Sequence, residues 1–394
     1  MESLTFLMTS TFYPPYHLGG DAVHVKYLAE ELTKRGHEVH VLHSLDAYKV
    51  KRRSLPEKSE LCGVNTHVIR THFNLSPYTV YALGNSSSIT RKFESLVREI
   101  KPDVVHHHNI SLLGYGLFEK RNHYHNLYTV LDCWLICQQN NLLKNGSEIC
   151  EGPSCFFCAL RCGKLPQLWR LGKGLRKAIG NIDMLISPSN YMLNRISQSW
   201  KVKAVTIPNF APEPPDPIEP SGFSDFFLYA GVLEKHKGIL GLINTYKQIC
   251  GEIDEKLLVV GDGNLKDKVE GFIRRNKLES EIVLLGWIDH NLLYRLLKDA
   301  SALITPSIWP ENSPLIALEA LSVGTPIIAS DYGGLPEIVK DIDGGLIFDS
   351  TDRLKRILLN FDKDKCSRSA IRALHRNRYS SEAYLKRYFK LFVT

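Results

Sequence analysis

Two carboxylates eight positions apart, Glu311 and Glu319, sit in the passage Ile304-Thr-Pro-Ser-Ile-Trp-Pro-Glu311-Asn312-Ser313-Pro314-Leu315-Ile-Ala-Leu-Glu319-Ala-Leu-Ser-Val-Gly324. The passage reads as a strand, a loop holding Glu311, and a helix from about Pro314 to Val323, with Pro near its first turn and Gly after its last. Backbone N–H groups around Ser313 to Ile316 have no partner inside such a helix, so its positive tip can take phosphate without a metal. Glu311 lies just before that tip and Glu319 about two turns later, a placement that suits the hydroxyls of a sugar and of a ribose. A lone helix glutamate is ordinarily structural; Glu311 and the helix tip beside it are what favour binding chemistry here.

Cysteine spacing marks a second region. Of nine cysteines, five fall at Cys137, Cys150, Cys155, Cys158 and Cys162, with a C-x2-C core in a loop-like insert. The N-terminus has no basic, apolar leader, so disulfides are not expected and metal binding is the natural suspicion. Four thiolates, taken as Cys137, Cys150, Cys155 and Cys158, would hold a structural zinc in a closed shell with no open position for catalysis. Free thiols are the competing reading, and an iron–sulfur cluster a third.

Weaker signals remain. Gly19-Gly20 follows a strand and opens a helix from Asp21 to Lys34, which lets bare backbone approach a ligand or merely makes a turn. His106 and His108 end another strand, where a structural role competes with a functional one. Val260-Gly-Asp-Gly263 begins a dinucleotide fingerprint, but Lys266 occupies the third glycine position.

These residues must be positioned by a chain of 394 residues, long enough for two cores and a cleft between them. Short apolar runs alternate with longer amphipathic stretches: Leu4–Ser10, Glu38–His43, Thr66–Arg70, Asp103–His107, Leu127–Leu131, Met184–Pro188 and Ala204–Ile207. The rhythm restarts at Phe226–Ala230, Leu257–Val260, Ile282–Leu285, Ala302–Ile304, Ile327–Ile328 and Leu346–Phe348. Alternation of this kind predicts α/β architecture, two doubly wound parallel sheets with crossover helices. Between them, six prolines within residues 208–220 forbid helix or central strand. The expected organisation is therefore 1–207 with a cysteine-rich insert at about 133–165, a linker at 208–222, a second domain at 223–376, and a last helix at 377–394 returning to the first.

Hydrophobic residues make up 44% and charged residues 23%, a globular balance, and no apolar run reaches the ~20 residues of a membrane span. A cytoplasmic protein is expected. The net charge of +7 is uneven: residues 1–210 carry 25 Lys and Arg against 16 Asp and Glu, residues 211–394 carry 24 against 26. Clusters at Lys49, Lys51, Arg52, Arg53, Lys58 and at Arg161, Lys164, Arg170, Lys173, Arg176, Lys177 are either a solvated surface or a peripheral contact with an anionic membrane. No nucleic-acid module accompanies them.

The Glu311–Glu319 passage resembles the E-x7-E signature of the retaining glycosyltransferases of family 4, which have the GT-B fold of two Rossmann-like domains facing a cleft. Similarity continues through Tyr229-Ala-Gly231 to Lys237-Gly238, Val259-Val-Gly261-Asp-Gly263, Leu285-Gly286-Trp287 and Ser330-Asp-Tyr-Gly333-Gly334. In the first half it includes Phe12 to Asp21, Leu32 to Val39, Lys101 to His106, Ser187-Pro-Ser189 and Ile207-Pro-Asn209. The resemblance implies that Lys237 neutralises a nucleotide diphosphate, that Glu311 meets the donor sugar and departing phosphate, and that Glu319 binds the ribose. By the same resemblance Gly286 and Trp287 hold the base through backbone groups, Asn312 to Leu315 supply the helix tip, and the Gly19-Gly20 loop closes over the phosphates and the acceptor. Asp21, His106 and Asp132 are expected on the acceptor side, Asp132 among the catalytic residues.

Two departures stand out. The family's arginine after the glycine of the Lys237 pattern is Val232 here, and the family's His before Asp132 is Leu131. The resemblance implies a UDP- or GDP-sugar donor, a glycan or lipid-linked acceptor and no catalytic cofactor. A nucleotide-binding regulatory relative without turnover, or a sugar-nucleotide epimerase of the same fold, are the alternatives.

Overall fold

The computed structural model describes residues 2–51, 63–71, 75–119, 124–145, 148–152 and 155–392. Arg52, Arg53 and Lys58 lie outside them. By internal contacts the chain divides into Met1–Ile207 with Tyr388–Thr394, and Pro208–Arg387.

In the first unit the strands are β1 (Thr5–Thr9), β2 (Glu38–Ser44), β3 (Asn65–Ile69), β4 (Val104–His107) and β5 (His125–Thr129). A short antiparallel hairpin, β6 (Leu143–Lys144) with β7 (Glu148–Ile149), interrupts the series before β8 (Met184–Ser187) and β9 (Ala204–Thr206). The main sheet is parallel in the order β3-β2-β1-β4-β5-β8-β9. Phe6, Leu7 and Met8 on β1 are all buried, as expected of a parallel strand covered on both faces. On one face the helix Ser87–Ile100 presents Ile89, Phe93, Leu96 and Val97, an i, i+4, i+7, i+8 stripe, to Leu7, Leu42 and Val105. Phe6 meets the C-terminal residues Tyr388 and Phe392 with ring centroids 6.4 and 6.0 Å away.

The second unit is a six-stranded parallel sheet of β10 (Phe226–Ala230), β11 (Lys256–Val260), β12 (Ile282–Gly286), β13 (Ala302–Thr305), β14 (Ile327–Ser330) and β15 (Leu346–Phe348). Its order is β12-β11-β10-β13-β14-β15. The helix Leu315–Val323 is apolar nearly all round and sunk in this unit; it stops at Gly324, whose φ of 84° is open to glycine. The proline-rich stretch packs onto the second unit instead of spanning freely: Ser221 N–H donates to Asp299 (2.6 Å) and Lys298 Nζ to the Ile218 carbonyl (2.7 Å). The last helix is Ser381–Tyr388, and only Tyr388 onward belongs to the first unit.

Both sheets grow outward in two directions from a central pair of neighbouring strands. In the first, the chain runs β1 to β3 one way and β4, β5, β8 and β9 the other; in the second, β10 to β12 and β13 to β15. The ends of β1 and β4, and of β10 and β13, are therefore switch points, where loops diverge and leave room for a ligand.

Candidate functional site

At the switch point of the second unit, the loop after β10 turns through Lys235–Lys237 and the loop after β13 carries Glu311. Lys237 Nζ lies 2.5 Å from Glu311 Oε1, which also accepts from Ser307 Oγ at 2.6 Å and Trp309 Nε1 at 2.8 Å. Burial alone would raise the Glu311 carboxyl; Lys237 outweighs it, with Ser307 and Trp309 adding donors, and holds the group below its ordinary value. The indole of Trp309 also faces the Lys237 ammonium at 5.3 Å and meets the His236 ring, tilted, at 4.4 Å.

Glycines make this approach of loops possible. Gly238 has φ 74°, and a Cβ there would fall 1.8 Å from the Pro306 carbonyl oxygen. Gly333, at φ 70°, pairs as a parallel bridge with Glu311, and Gly334 N–H donates to the Glu311 carbonyl at 2.6 Å. These contacts fix the Glu311 backbone in place.

Asn312, Ser313 and Pro314 lead into the helix Leu315–Val323, whose first residue follows Glu311 by four positions. Asn209 Nδ2 holds the Ser313 carbonyl at 2.9 Å. Glu319 is buried on that helix, its Oε1 3.1 Å from His290 Nε2. Gly286 ends β12, with φ 69°, and Trp287 after it is 79% exposed; because the sheet is parallel, both lie on the edge that carries Lys237 and Glu311, two strands away from β10. Val232 is exposed and brings no charge to the loop.

The first unit repeats the logic with different chemistry. Gly19, at φ 80°, precedes the helix Gly20–Lys34 after β1, and Asp21 in its first turn accepts from Asn109 Nδ2 at 2.8 Å. Asn109 follows β4, so this bond joins the two sides of the switch point. Asp21 makes no side-chain cap for the helix.

Asp132 follows β5, one strand along, and accepts from the Trp134 N–H at 3.1 Å. Burial raises its carboxyl to about 7, the Asp21 carboxylate adding to the rise while Arg170 opposes it. Arg170 itself stacks on Trp134 and Trp169, 5.2 and 4.7 Å from their rings. His106 is placed differently from an acceptor ligand. It is wholly buried, Nε2 2.7 Å from Thr129 Oγ1 and Nδ1 2.8 Å from Tyr388 Oη, so both ring nitrogens are used by the fold. The His108 ring lies 4.0 Å from it at a tilt of 39°, and burial keeps both imidazoles well below their ordinary value.

Cys137, Cys150, Cys155 and Cys158 line one cavity of about 110 Å³ with Arg195, beside the β6–β7 hairpin. Backbone N–H groups donate to two sulfurs, Gln139 to Cys137 Sγ and Asn145 to Cys158 Sγ, each at 3.3 Å. Among the described residues no three His, Cys, Asp or Glu side chains are gathered closely enough to hold a metal ion. The donor set thus suits zinc in kind, while the four thiols stand apart around their cavity.

Ser307, Trp309, His290, Asn109 and Arg170 were not singled out for these sites by the sequence. Ser307 and Trp309 sit four and two positions before Glu311 and could have been found by that adjacency; His290, 29 positions from Glu319, offers no such signal.

Residues 18–212 match the family model described as Glycosyltransferase Family 4, and residues 218–380 match the model Glycosyl transferases group 1. An uncharacterized glycosyltransferase of Methanocaldococcus jannaschii is 25% identical over 365 residues, 86% of this chain and 83% of its own. Among solved structures, sucrose-phosphate synthase from Thermosynechococcus elongatus is similar with a TM-score of 0.71 at 19% identity, over 99% of this chain and 98% of that one. An Anabaena protein in complex with UDP-glucose is similar with a TM-score of 0.65 at 14% identity, over 98% of both chains.

Proposed function

The chain belongs to the GT-B glycosyltransferases of group 1 and family 4, and on that footing we propose that it moves a sugar from a nucleotide diphosphate donor to an acceptor hydroxyl with retention of configuration. The observation that carries this reading is the Lys237–Glu311 contact at the switch point, four residues ahead of a helix start. An ammonium has three donors, and Glu311 takes one; the others can meet a diphosphate, whose negative charge grows as the glycosyl bond breaks. The N–H groups of Ser313, Leu315 and Ile316 at the helix tip add to that stabilisation without a metal. In this reading Glu311 holds the donor-sugar hydroxyls, Glu319 the ribose, and the Gly286–Trp287 backbone the base.

The acceptor hydroxyl, on a glycan or a lipid-linked saccharide, is assigned to the Asp21–Asn109 pair and Asp132, with Gly19 and Gly20 giving backbone access. His106 is reassigned from ligand contact to fold support because neither of its nitrogens is open. In this reading the glycosyl–phosphate bond breaks as the acceptor hydroxyl attacks from the same face, and the departing phosphate takes the hydroxyl proton. A UDP-glucose complex of a similar protein makes UDP-sugars the first donors to try.

A thermal-shift screen of UDP- and GDP-sugars, followed by transfer assays with nuclear magnetic resonance of the product anomer, tests the proposal. One donor class raising the melting temperature and an unchanged anomeric configuration are expected. Inverted product refutes retention; a donor altered with no acceptor present indicates an epimerase; binding without turnover on any acceptor indicates a regulatory protein.

A further inference from the structure

Fifteen large apolar side chains stand exposed among the described residues, and nine of them fall in two short segments of the first unit, 75–83 and 156–171. Scattered exposed apolar residues are ordinary, but a cluster of this kind marks a surface that meets something. Phe156, Phe157 and Leu160 project from the helix Cys155–Arg161, whose inner side buries Ala159. Beyond the turn at Gly163, Leu165, Leu168 and Leu171 are 74%, 60% and 85% exposed. Leu168 and Leu171 share one side of the 3-10 turn Leu168–Leu171, three positions apart, while Trp169 turns inward.

The two segments are neighbours. Tyr81 Oη donates to the Leu165 carbonyl at 2.9 Å, and Trp169 Nε1 donates to the Tyr81 carbonyl at 3.1 Å. These bonds place the helix Ser76–Leu83, with exposed Tyr78 and Leu83, beside the 165–171 stretch. Charge completes the pattern: from Cys155 to Lys177 the chain has six Lys or Arg and no Asp or Glu. Arg161, Lys164, Lys173, Arg176 and Lys177 are all exposed.

We propose that this apolar and cationic surface of the first unit docks the protein on an anionic lipid bilayer, with Phe156, Phe157, Leu165, Leu168 and Leu171 entering the headgroup–acyl boundary and the flanking Lys and Arg meeting lipid phosphates. Aliphatic side chains dominate the apolar part, which suits acyl chains; single-stranded nucleic acid would call for aromatic platforms on which bases stack. Charge of one sign selects an anionic surface, where each basic residue near the membrane is worth roughly fivefold in partitioning. No described helix is long and apolar enough to cross a membrane, so the contact is peripheral.

The test is flotation of the full-length protein with vesicles of phosphatidylcholine alone and of phosphatidylcholine mixed with phosphatidylglycerol, at low and high salt. Binding to the anionic vesicles, weakened by salt and nearly absent on neutral ones, is expected. Lys173→Glu/Lys177→Glu should lower partitioning at least about 25-fold by the same scale, and Leu168→Asp/Leu171→Asp at least about tenfold. Both variants should keep the wild-type melting temperature and nucleotide-sugar response. Three results overturn the proposal: no binding to anionic vesicles, variants that bind like wild type, or Leu variants that convert a concentration-dependent dimer to monomer. Retention of RNA or DNA in place of vesicles overturns it equally.

Discussion

At the scale of single residues, Lys237 and Glu311 are coupled in stability as well as in chemistry. Glu311 is buried, and with Lys237→Ala its carboxylate keeps only Ser307 and Trp309 as donors. That variant should lose transfer on the order of 10²–10³-fold, the scale of one lost charge-stabilising donor, and also about 1–3 kcal/mol of stability from the under-satisfied acid. Glu311→Gln keeps the shape and can still accept hydrogen bonds, so it should fold near wild type yet transfer poorly. Steady-state rates with urea unfolding of both variants check this; a wild-type rate in Glu311→Gln removes Glu311 from the site.

Asp132 gives a second residue-scale prediction. Its carboxyl is raised in the fold from 3.8 to about 7, so the folded state holds a proton that the unfolded chain has already released. Stability from this group is therefore full below about pH 4 and declines as pH rises towards 7, by up to about 1.4 kcal/mol per pH unit. Asp132→Asn should flatten the unfolding free energy over that window. Parallel pH curves for the two proteins would show that the carboxyl is not raised.

At the scale of elements, the thirteen strands of the two main sheets were legible because many parallel strands buried on both faces are written as near-continuous apolar runs, Phe226–Ala230 and Lys256–Val260 among them. By contrast, β2, β3 and β5 carry polar residues and were found by their place in the alternation. Phe226–Ala230 and Leu346–Phe348 coincide with their sequence bounds, and the others differ by one or two residues. The β6–β7 hairpin was not legible, since two residues a strand leave no period to read. For the site, Lys237 and Glu311 could be singled out by motif, but their contact spans 74 positions and depends on strand order, which periodicity does not carry. His106 shows the opposite limit: a strand-end position gave no sign that Thr129 and Tyr388 would use both its nitrogens.

The turn that delivers Lys237 rests on Gly238. Gly238→Ala sets a Cβ against the Pro306 backbone at a left-handed φ, which should cost on the order of 1–3 kcal/mol and displace the ammonium. Transfer should fall while the cysteine insert is untouched. For that insert we propose a structural zinc, drawn in by Cys137, Cys150, Cys155 and Cys158 as the loop tightens around its cavity. Metal analysis should find about one zinc per chain, and prolonged chelation should lower the melting temperature while brief EDTA leaves the transfer rate unchanged. Zinc-free protein with four freely titrating thiols would establish the free-thiol reading.

At the scale of the whole molecule, the chain leaves the first unit at Ile207 and re-enters it only at Tyr388, so the first core is finished by residues read last. Tyr388 hydrogen-bonds His106 and stacks on it at 5.3 Å, Phe392 packs on Phe6, and Phe389 lies 5.4 Å from His37. Truncation after Arg387 removes this aromatic group and leaves His106 Nδ1 buried without its partner, a loss of several kcal/mol from ring burial and the orphaned nitrogen together. The loss falls on the first unit, whereas most nucleotide-sugar contacts, those of Lys237, Glu311, Glu319 and Gly286–Trp287, are assigned to the second. Calorimetry should therefore show a low-temperature transition appearing in the truncated protein. Donor at about 100 times its Kd should add about 2.7 kcal/mol to the other transition and leave the new one in place. A truncated protein that still melts in one step at the wild-type temperature would mean that Tyr388 to Thr394 contribute nothing to the first core.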